Sequence, residues 1–215
     1  MEGIEERELV RLAELLLTPS TRQWLPDAYT RYEEMARRTV ETSSREAAIH
    51  LIVSLELLGK QARTHGPLAI LPPLVAYCTR FGKTPELLVE VYRACIVTGG
   101  PPLDEAPGFL REAARLGPQN YHVLWELWRD YPTPWFPQEL RLASDGRAHE
   151  LECLKLIQEA RPQDKLAHRV QEWVEKSNRR YVGSNRVPIP VSTIAELTRP
   201  TATTSLSKLL EMAGT

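Results

Sequence analysis

The sequence lacks long apolar runs, and nothing in it resembles a targeting segment. No uninterrupted stretch approaches the roughly 20 apolar residues that a membrane span requires. The chain begins with an acidic stretch, Met1 to Glu6, instead of the basic and then apolar pattern of a secretory signal. We therefore expect no signal peptide, no transmembrane segment and no membrane partner, and we expect a cytoplasmic or nuclear protein.

Cysteine is scarce, with Cys78, Cys95 and Cys153 as the whole set. An odd and widely spaced set fits neither a disulfide framework nor the close cysteine pairs of a zinc site. Each cysteine lies in an apolar helical stretch, which favours buried free thiols. His149 and Cys153 could share a helix face, but a partly exposed histidine beside a buried cysteine is the favoured interpretation. The sequence therefore predicts no metal site.

Motifs of catalysis and of nucleotide binding are missing as well. The glycines at Gly99, Gly100 and Gly183 lack the strand-loop-helix setting and the Lys-Ser/Thr pair of a phosphate loop. Neither a Gly-x-Ser-x-Gly elbow nor a His-Glu-x-x-His pair occurs in the sequence. We therefore predict that the protein is not an enzyme, that it has no catalytic residues and that it needs no cofactor.

An excess of charge of one sign is also lacking, because 27 basic and 28 acidic side chains leave a net charge of −1. A global attraction to nucleic acid is thereby excluded, but a local one is not. The basic segment, Arg161 to Arg186, carries seven basic and three acidic side chains. Arginine pairs with phosphates and carboxylates, so this segment could contact nucleic acid or an acidic partner, or it could be a solvated helix face. The candidate contacts are Arg169, Lys176, Arg179, Arg180 and Arg186.

Helix signals, by contrast, are dense. Apolar residues recur at spacings of three and four, and proline and glycine separate about eight such stretches between Ser43 and Ser177. Ser43 and Glu46 form the pattern of a capping box, and Pro72-Pro73 is expected to open a short helix. We predict an all-α fold, either an irregular multi-helix bundle or a short stack of helical hairpins. Residues 1–178 would form one helical domain.

Aromatic residues concentrate in one part of the chain. Three fall on one helix face, and two more follow in a turn that contains prolines. Such a cluster supplies buried area, anchors an interface or, with basic neighbours, stacks on bases. Burial in the core is the favoured interpretation, and an interface is the alternative. The residues are Tyr121, Trp125, Trp128, Trp135 and Phe136.

The composition changes in residues 179–215, which we expect to form a basic hinge, an extended arm and a short terminal helix. Spaced prolines favour extended backbone, yet the segment is too apolar for an idle tail. Three leucines near the end share one side of a helix that is too short to be stable alone. The C-terminal arm (residues 187–212) therefore has apolar residues available for docking, namely Val187, Ile189, Val191, Ile194, Leu197, Leu206, Leu209 and Leu210.

These patterns favour a non-catalytic structural protein that self-associates or docks on a partner through the C-terminal arm, as coat, nucleocapsid-like and scaffold proteins do. The groove that receives the arm could belong to the same molecule or to a neighbouring copy. A neighbouring copy is the favoured interpretation, because an extended arm outreaches its own small domain. We therefore expect the protein to form a homo-oligomer or to be part of a larger protein assembly. The alternative is a helical RNA- or DNA-binding protein that uses the basic segment.

Overall fold

Every regular element among the residues that the computed structural model describes is helical. The structure describes residues 2–17, 26–62, 66–176 and 205–213. No strand occurs in these ranges, so the all-α prediction is confirmed. None of the described helices is both long enough and apolar enough to cross a membrane. The helices are α1 (Glu2–Leu17), α2 (Pro26–Thr42), α3 (Arg45–Ala62), α4 (Gly66–Phe81), α5 (Pro85–Thr98), α6 (Pro101–Leu116), α7 (Tyr121–Asp130), α8 (Gly146–Ala160), α9 (Lys165–Lys176) and α10 (Leu206–Met212), with a 3₁₀ turn at Gln138–Leu140.

The helices cluster in two compact units. Unit 1 comprises Met1–Ala106 together with Leu206–Thr215, and unit 2 comprises Pro107–Ser205. The predicted boundary between residues 178 and 179 lies outside the described residues, so that division stays a prediction. The terminal helix α10 belongs to unit 1, although about 100 residues of unit 2 separate it from the rest of that unit in sequence.

Helix α4 is the centre of unit 1. It packs on α2, α3 and α5 and also contacts α1, while α10 packs on α3 and α5. Its apolar composition fits this position, because a helix that is apolar on most faces belongs inside a bundle. Leu74 and Tyr77 on α4 are fully buried, as are Ile52 on α3 and Leu88 on α5.

The two prolines of α4 lie inside the helix, not at its start. The expectation that Pro72-Pro73 opens a helix is therefore wrong, because α4 begins at Gly66. A proline at position 73 has no N–H to donate to the carbonyl of Ala69, four residues earlier. The hydroxyl of Tyr32 on α2, which is fully buried, donates to that carbonyl instead. Tertiary packing thus provides the hydrogen bond that proline removes.

In the turn between α2 and α3, the residue that caps α3 differs from the one predicted by the capping-box pattern. Ser44, not Ser43, caps α3, since its Oγ accepts from the backbone N–H of Ala47 at 3.2 Å. The Ser43 hydroxyl instead donates to the Val40 carbonyl at 3.4 Å, at the end of α2. The guanidinium of Arg80 donates to the carbonyls of Val40 and, at 2.7 Å, of Ser43. These bonds satisfy carbonyls that the end of a helix leaves without partners.

Helix α5 has the beginning and end that its local sequence predicts. Thr84 caps it, with Oγ1 accepting from the Leu87 N–H at 3.2 Å, and Pro85 occupies the first turn. The helix ends at Thr98, and the N–H of Gly99, which follows it, donates to the Cys95 carbonyl at 3.0 Å. Gly99 and Gly100 both have positive φ, +68° and +58°, a conformation that glycine adopts without a steric penalty.

Unit 2 is organised around α8, which packs on α7 and α9. Polar caps fix the three helix starts. Asn120 accepts from N–H groups of α7, and Asp145 accepts from the Ala148 N–H of α8 at 2.9 Å. Asp164 accepts from the Leu166 N–H of α9 at 2.9 Å and from the Tyr121 hydroxyl of α7 at 2.6 Å.

Candidate docking site of the C-terminal helix

The terminal helix α10 buries all three of its leucines. Leu206, Leu209 and Leu210 are 8%, 4% and 0% exposed, as their shared helix face predicts. Helix α10 packs against α3 and α5 of the same chain, and Tyr77 of α4 bonds to its end. In this structure of a single chain, α10 lies in a groove of unit 1, and docking of the arm on a neighbouring copy stays a prediction.

Two side chains of unit 1 hold the C-terminal end of α10. The Tyr77 hydroxyl donates to the Leu210 carbonyl at 2.6 Å. The Arg45 guanidinium donates to the carbonyls of Leu210 at 3.2 Å and Glu211 at 2.6 Å, and also to that of Ala213. The last turn of a helix leaves its carbonyls without intrahelical donors, so these bonds satisfy polar groups that burial would otherwise leave orphaned.

Arg45 and Tyr77 are themselves fixed in place. Arg45 is the first residue of α3, directly after the Ser44 cap, and Tyr77 is fully buried on α4. The Arg45 Nε donates to the Tyr77 hydroxyl at 3.0 Å, which joins the two side chains into one unit. A guanidinium at the negative end of a helix dipole is also electrostatically favourable. We call these two residues the carbonyl clamp.

The carbonyl clamp is not evident from the sequence. Arg45 and Tyr77 lie far from Leu210 along the chain, at separations of 165 and 133 residues. Arg45 stands among acidic and basic neighbours of no distinctive pattern, and Tyr77 lies within an apolar run. Only the leucine spacing of α10 carries a local signal for this site.

The remaining arm residues and most of the basic candidates lie outside the described part of the chain. Arg169 is exposed on α9, and Lys176 is the last residue of that helix. The structure therefore does not test the basic segment as a unit. The candidates outside the described residues are Arg179, Arg180, Arg186, Val187, Ile189, Val191, Ile194 and Leu197.

The aromatic cluster forms part of the core of unit 2. Tyr121, Trp125, Trp128 and Phe136 are buried, and Trp135 is partly exposed. The rings of Trp125 and Trp128 meet edge to face, with centroids 5.5 Å apart. Core packing accounts for the four buried rings, and a role in an interface stays a prediction.

His149 is fully buried, not partly exposed as expected. Its Nδ1 accepts from the Leu142 N–H at 3.0 Å, so Nε2 carries the proton and donates to the Leu127 carbonyl, also at 3.0 Å. The Cys153 sulfur lies 3.7 Å from Nε2. Burial lowers the pKa of His149, and burial raises the pKa of Cys153. A neutral imidazole that bridges two backbone segments has a structural role.

Another concave feature of unit 1 is a cleft of about 230 Å³ lined by residues of α2, α4, α5 and α6. Glu33, Glu105 and Cys95 line it. Burial and the nearby Glu105 raise the pKa of Glu33, and the same two causes raise the pKa of Cys95 to about 12. The thiol is therefore protonated at neutral pH and is not an activated nucleophile. The described residues contain no group of three or more side chains able to hold a metal ion.

Comparison with protein families, with characterised proteins and with solved structures finds no match to this chain.

Proposed function

We propose that the chain is a non-catalytic assembly protein whose copies join by exchanging the terminal helix α10. The supporting observation is the groove of unit 1, in which the carbonyl clamp and the surface of α3 and α5 hold a helix by its leucines and its end. Helix-in-groove docking of this kind is a recurring mode of protein recognition.

The connection between α9 and α10 supports exchange between copies. About 30 residues separate Lys176 from Leu206. An extended chain of that length spans at most roughly 100 Å, which exceeds the diameter of a domain of this size. The same α10 can therefore reach the groove of its own chain or that of a second copy. Exchange of an identical element is a common route to dimers.

The energetics of docking also allow exchange. Burying three leucines contributes roughly 5 to 9 kcal/mol. Hydrogen bonds from a charged Arg45 contribute roughly 2 to 3 kcal/mol more. Ordering the seven residues of α10 costs roughly 7 to 14 kcal/mol of backbone entropy. Because the favourable and the unfavourable free-energy terms are of similar size, the net free energy of docking is small. Helix α10 can therefore leave its groove and bind the groove of a second copy.

Mixing two complementary variants tests the proposal. Arg45→Glu places a carboxylate against the carbonyls of α10 and disables the groove, while Leu209→Asp with Leu210→Asp disables the helix. Each variant alone is expected to lose assembly, because every copy lacks one half of the contact. A mixture contains one intact groove and one intact helix, so it should form a dimer of the two variants. Light scattering after size-exclusion chromatography measures the mass.

The matched control is Met212→Gln, which changes a residue of α10 that is 48% exposed. This variant should assemble like the wild type, since the change lies outside the buried face. A wild-type protein that stays monomeric at all concentrations would contradict the proposal. So would a mixture that contains only monomers.

A further inference from the structure

Among the described helices, α6 contributes residues to both compact units. It covers Pro101–Leu116, and the boundary between the two units falls inside it, directly before Pro107. The residues before the boundary belong to unit 1, and the residues after it belong to unit 2. Compact units of one chain are expected to move separately unless the connection between them is stiff. The stiffness of α6 at the boundary is therefore the property that matters.

Each half of α6 makes contacts within its own unit. In unit 1, Pro102 and Glu105 line the cleft together with residues of α2, α4 and α5. In unit 2, the guanidinium of Arg111 donates to the carboxylate of Glu139 in the 3₁₀ turn. Because each half has partners in its own unit, a bend of α6 is expected at the boundary and not at either end of the helix.

The two residues that follow the boundary weaken the helix. Pro107 has no N–H to donate to the carbonyl of Leu103, four residues earlier. No side chain in the described ranges donates to this carbonyl, whereas the Tyr32 hydroxyl donates to that of Ala69 in α4. Gly108 has the greatest backbone freedom, and packing does not require it, since a Cβ there would meet no atom within 4 Å. Helix α6 is therefore weakened where it passes from one unit to the other.

We propose that Pro107 and Gly108 form a hinge at which the two halves of α6 change their angle, so that unit 1 and unit 2 move separately. Proline and glycine are common causes of a bend in a helix, and a hinge consists of a few residues that absorb changes in φ and ψ. The connection from Lys176 to Leu206 does not prevent this motion, because it can span up to roughly 100 Å when extended. The hinge does not depend on exchange of α10 between copies.

Pulsed electron paramagnetic resonance on the full-length chain tests the hinge. Spin labels at Glu34→Cys on α2 and Glu159→Cys on α8 report a distance between the units. The native cysteines are buried and these two positions are exposed, so the labels attach where they are intended. Labelled chains are diluted in unlabelled protein, so that only distances within one chain are measured. The measurement is repeated after Pro107→Ala with Gly108→Ala, which places two alanines, the best helix formers, at the boundary.

The distance distribution should be broad in the wild type and narrower in the double variant, because a continuous helix bends less. Hydrogen exchange of the N–H groups of residues 109–111 should slow by at least about 10-fold in the double variant, since a more stable helix opens less often. The matched control is Pro73→Ala, which removes a proline from inside α4, a helix that lies wholly in unit 1. This control should change neither the width of the distribution nor the exchange of residues 109–111.

Equal widths of the distance distribution in the wild type and in the double variant would overturn the inference. Slower exchange with an unchanged width would overturn it as well, because α6 would then be weak locally without moving the units. An equal narrowing in Pro73→Ala would also overturn it, since the effect would not be specific to the boundary. If circular dichroism shows that the double variant does not fold, Gly108→Ala alone is measured against the same criteria, because its added Cβ meets no atom within 4 Å.

Discussion

The hydroxyl of Tyr32 allows a direct test of how α4 accommodates its prolines. Tyr32 is fully buried, and its hydroxyl donates to the Ala69 carbonyl, which lacks a donor because residue 73 is proline. Tyr32→Phe keeps the ring and removes only this bond. Pro73→Ala supplies a backbone N–H to the same carbonyl. The two changes are therefore expected to be coupled in the free energy of unfolding.

The magnitude follows from the burial. Losing the hydrogen bond of Tyr32 and leaving the Ala69 carbonyl unsatisfied should cost about 2 kcal/mol. In the Pro73→Ala background the new N–H satisfies the carbonyl, so Tyr32→Phe should then cost about 0.5 kcal/mol. The difference predicts a coupling energy of about 1.5 kcal/mol. Pro73→Ala also changes helix propensity and the unfolded chain, but these effects are the same with and without Tyr32→Phe. They therefore cancel in the coupling energy.

Urea unfolding of the wild type, the two single variants and the double variant, followed by far-UV circular dichroism, measures this coupling. Tyr29 is a buried tyrosine about one turn earlier on α2. The variant Tyr29→Phe serves as a control, because it should not couple to Pro73→Ala. Additive effects of Tyr32→Phe and Pro73→Ala, within about 0.5 kcal/mol, would refute the reasoning, because they would show that both donors do not serve one carbonyl.

Three further predictions concern pH, nucleic acid and assembly. Burial lowers the pKa of His149, so its contribution to stability should be fully present above about pH 6.5, the pKa of histidine in the unfolded chain, and should fall as the pH drops below that value. His149→Leu should remove this pH dependence from the free energy of unfolding measured in acid titrations, and it should lower that free energy by about 2 to 3 kcal/mol. If the basic segment binds nucleic acid, the binding measured by electrophoretic mobility shift should weaken steeply with added salt and should vanish in the double variant Arg179→Glu with Arg180→Glu. Binding that does not depend on salt would argue against phosphate contacts. Deleting residues 187–215 should abolish assembly in light scattering while circular dichroism stays helical, and an unchanged oligomer would show that the arm is not required.

Local sequence determined most of the helices of this protein. Thr84 and Pro85 start α5, and the two glycines after Thr98 end it, because capping and left-handed backbone depend on adjacent residues. The spacing of Leu206, Leu209 and Leu210 likewise predicts which side of α10 is buried. In each case the interaction that matters spans no more than about four residues, so the pattern is visible without the fold.

Tertiary structure alone decided the features that depend on distant partners. The prolines of α4 stay inside the helix because a hydroxyl from α2 satisfies the Ala69 carbonyl. His149 is buried because backbone groups of two other segments bond to both of its nitrogens. The docking of α10 in its own chain depends on Arg45 and Tyr77, which approach its carbonyls only after α3, α4 and α5 have packed. A hydrogen bond between residues more than 100 positions apart leaves no periodic trace in a sequence, because its geometry exists only in the folded chain.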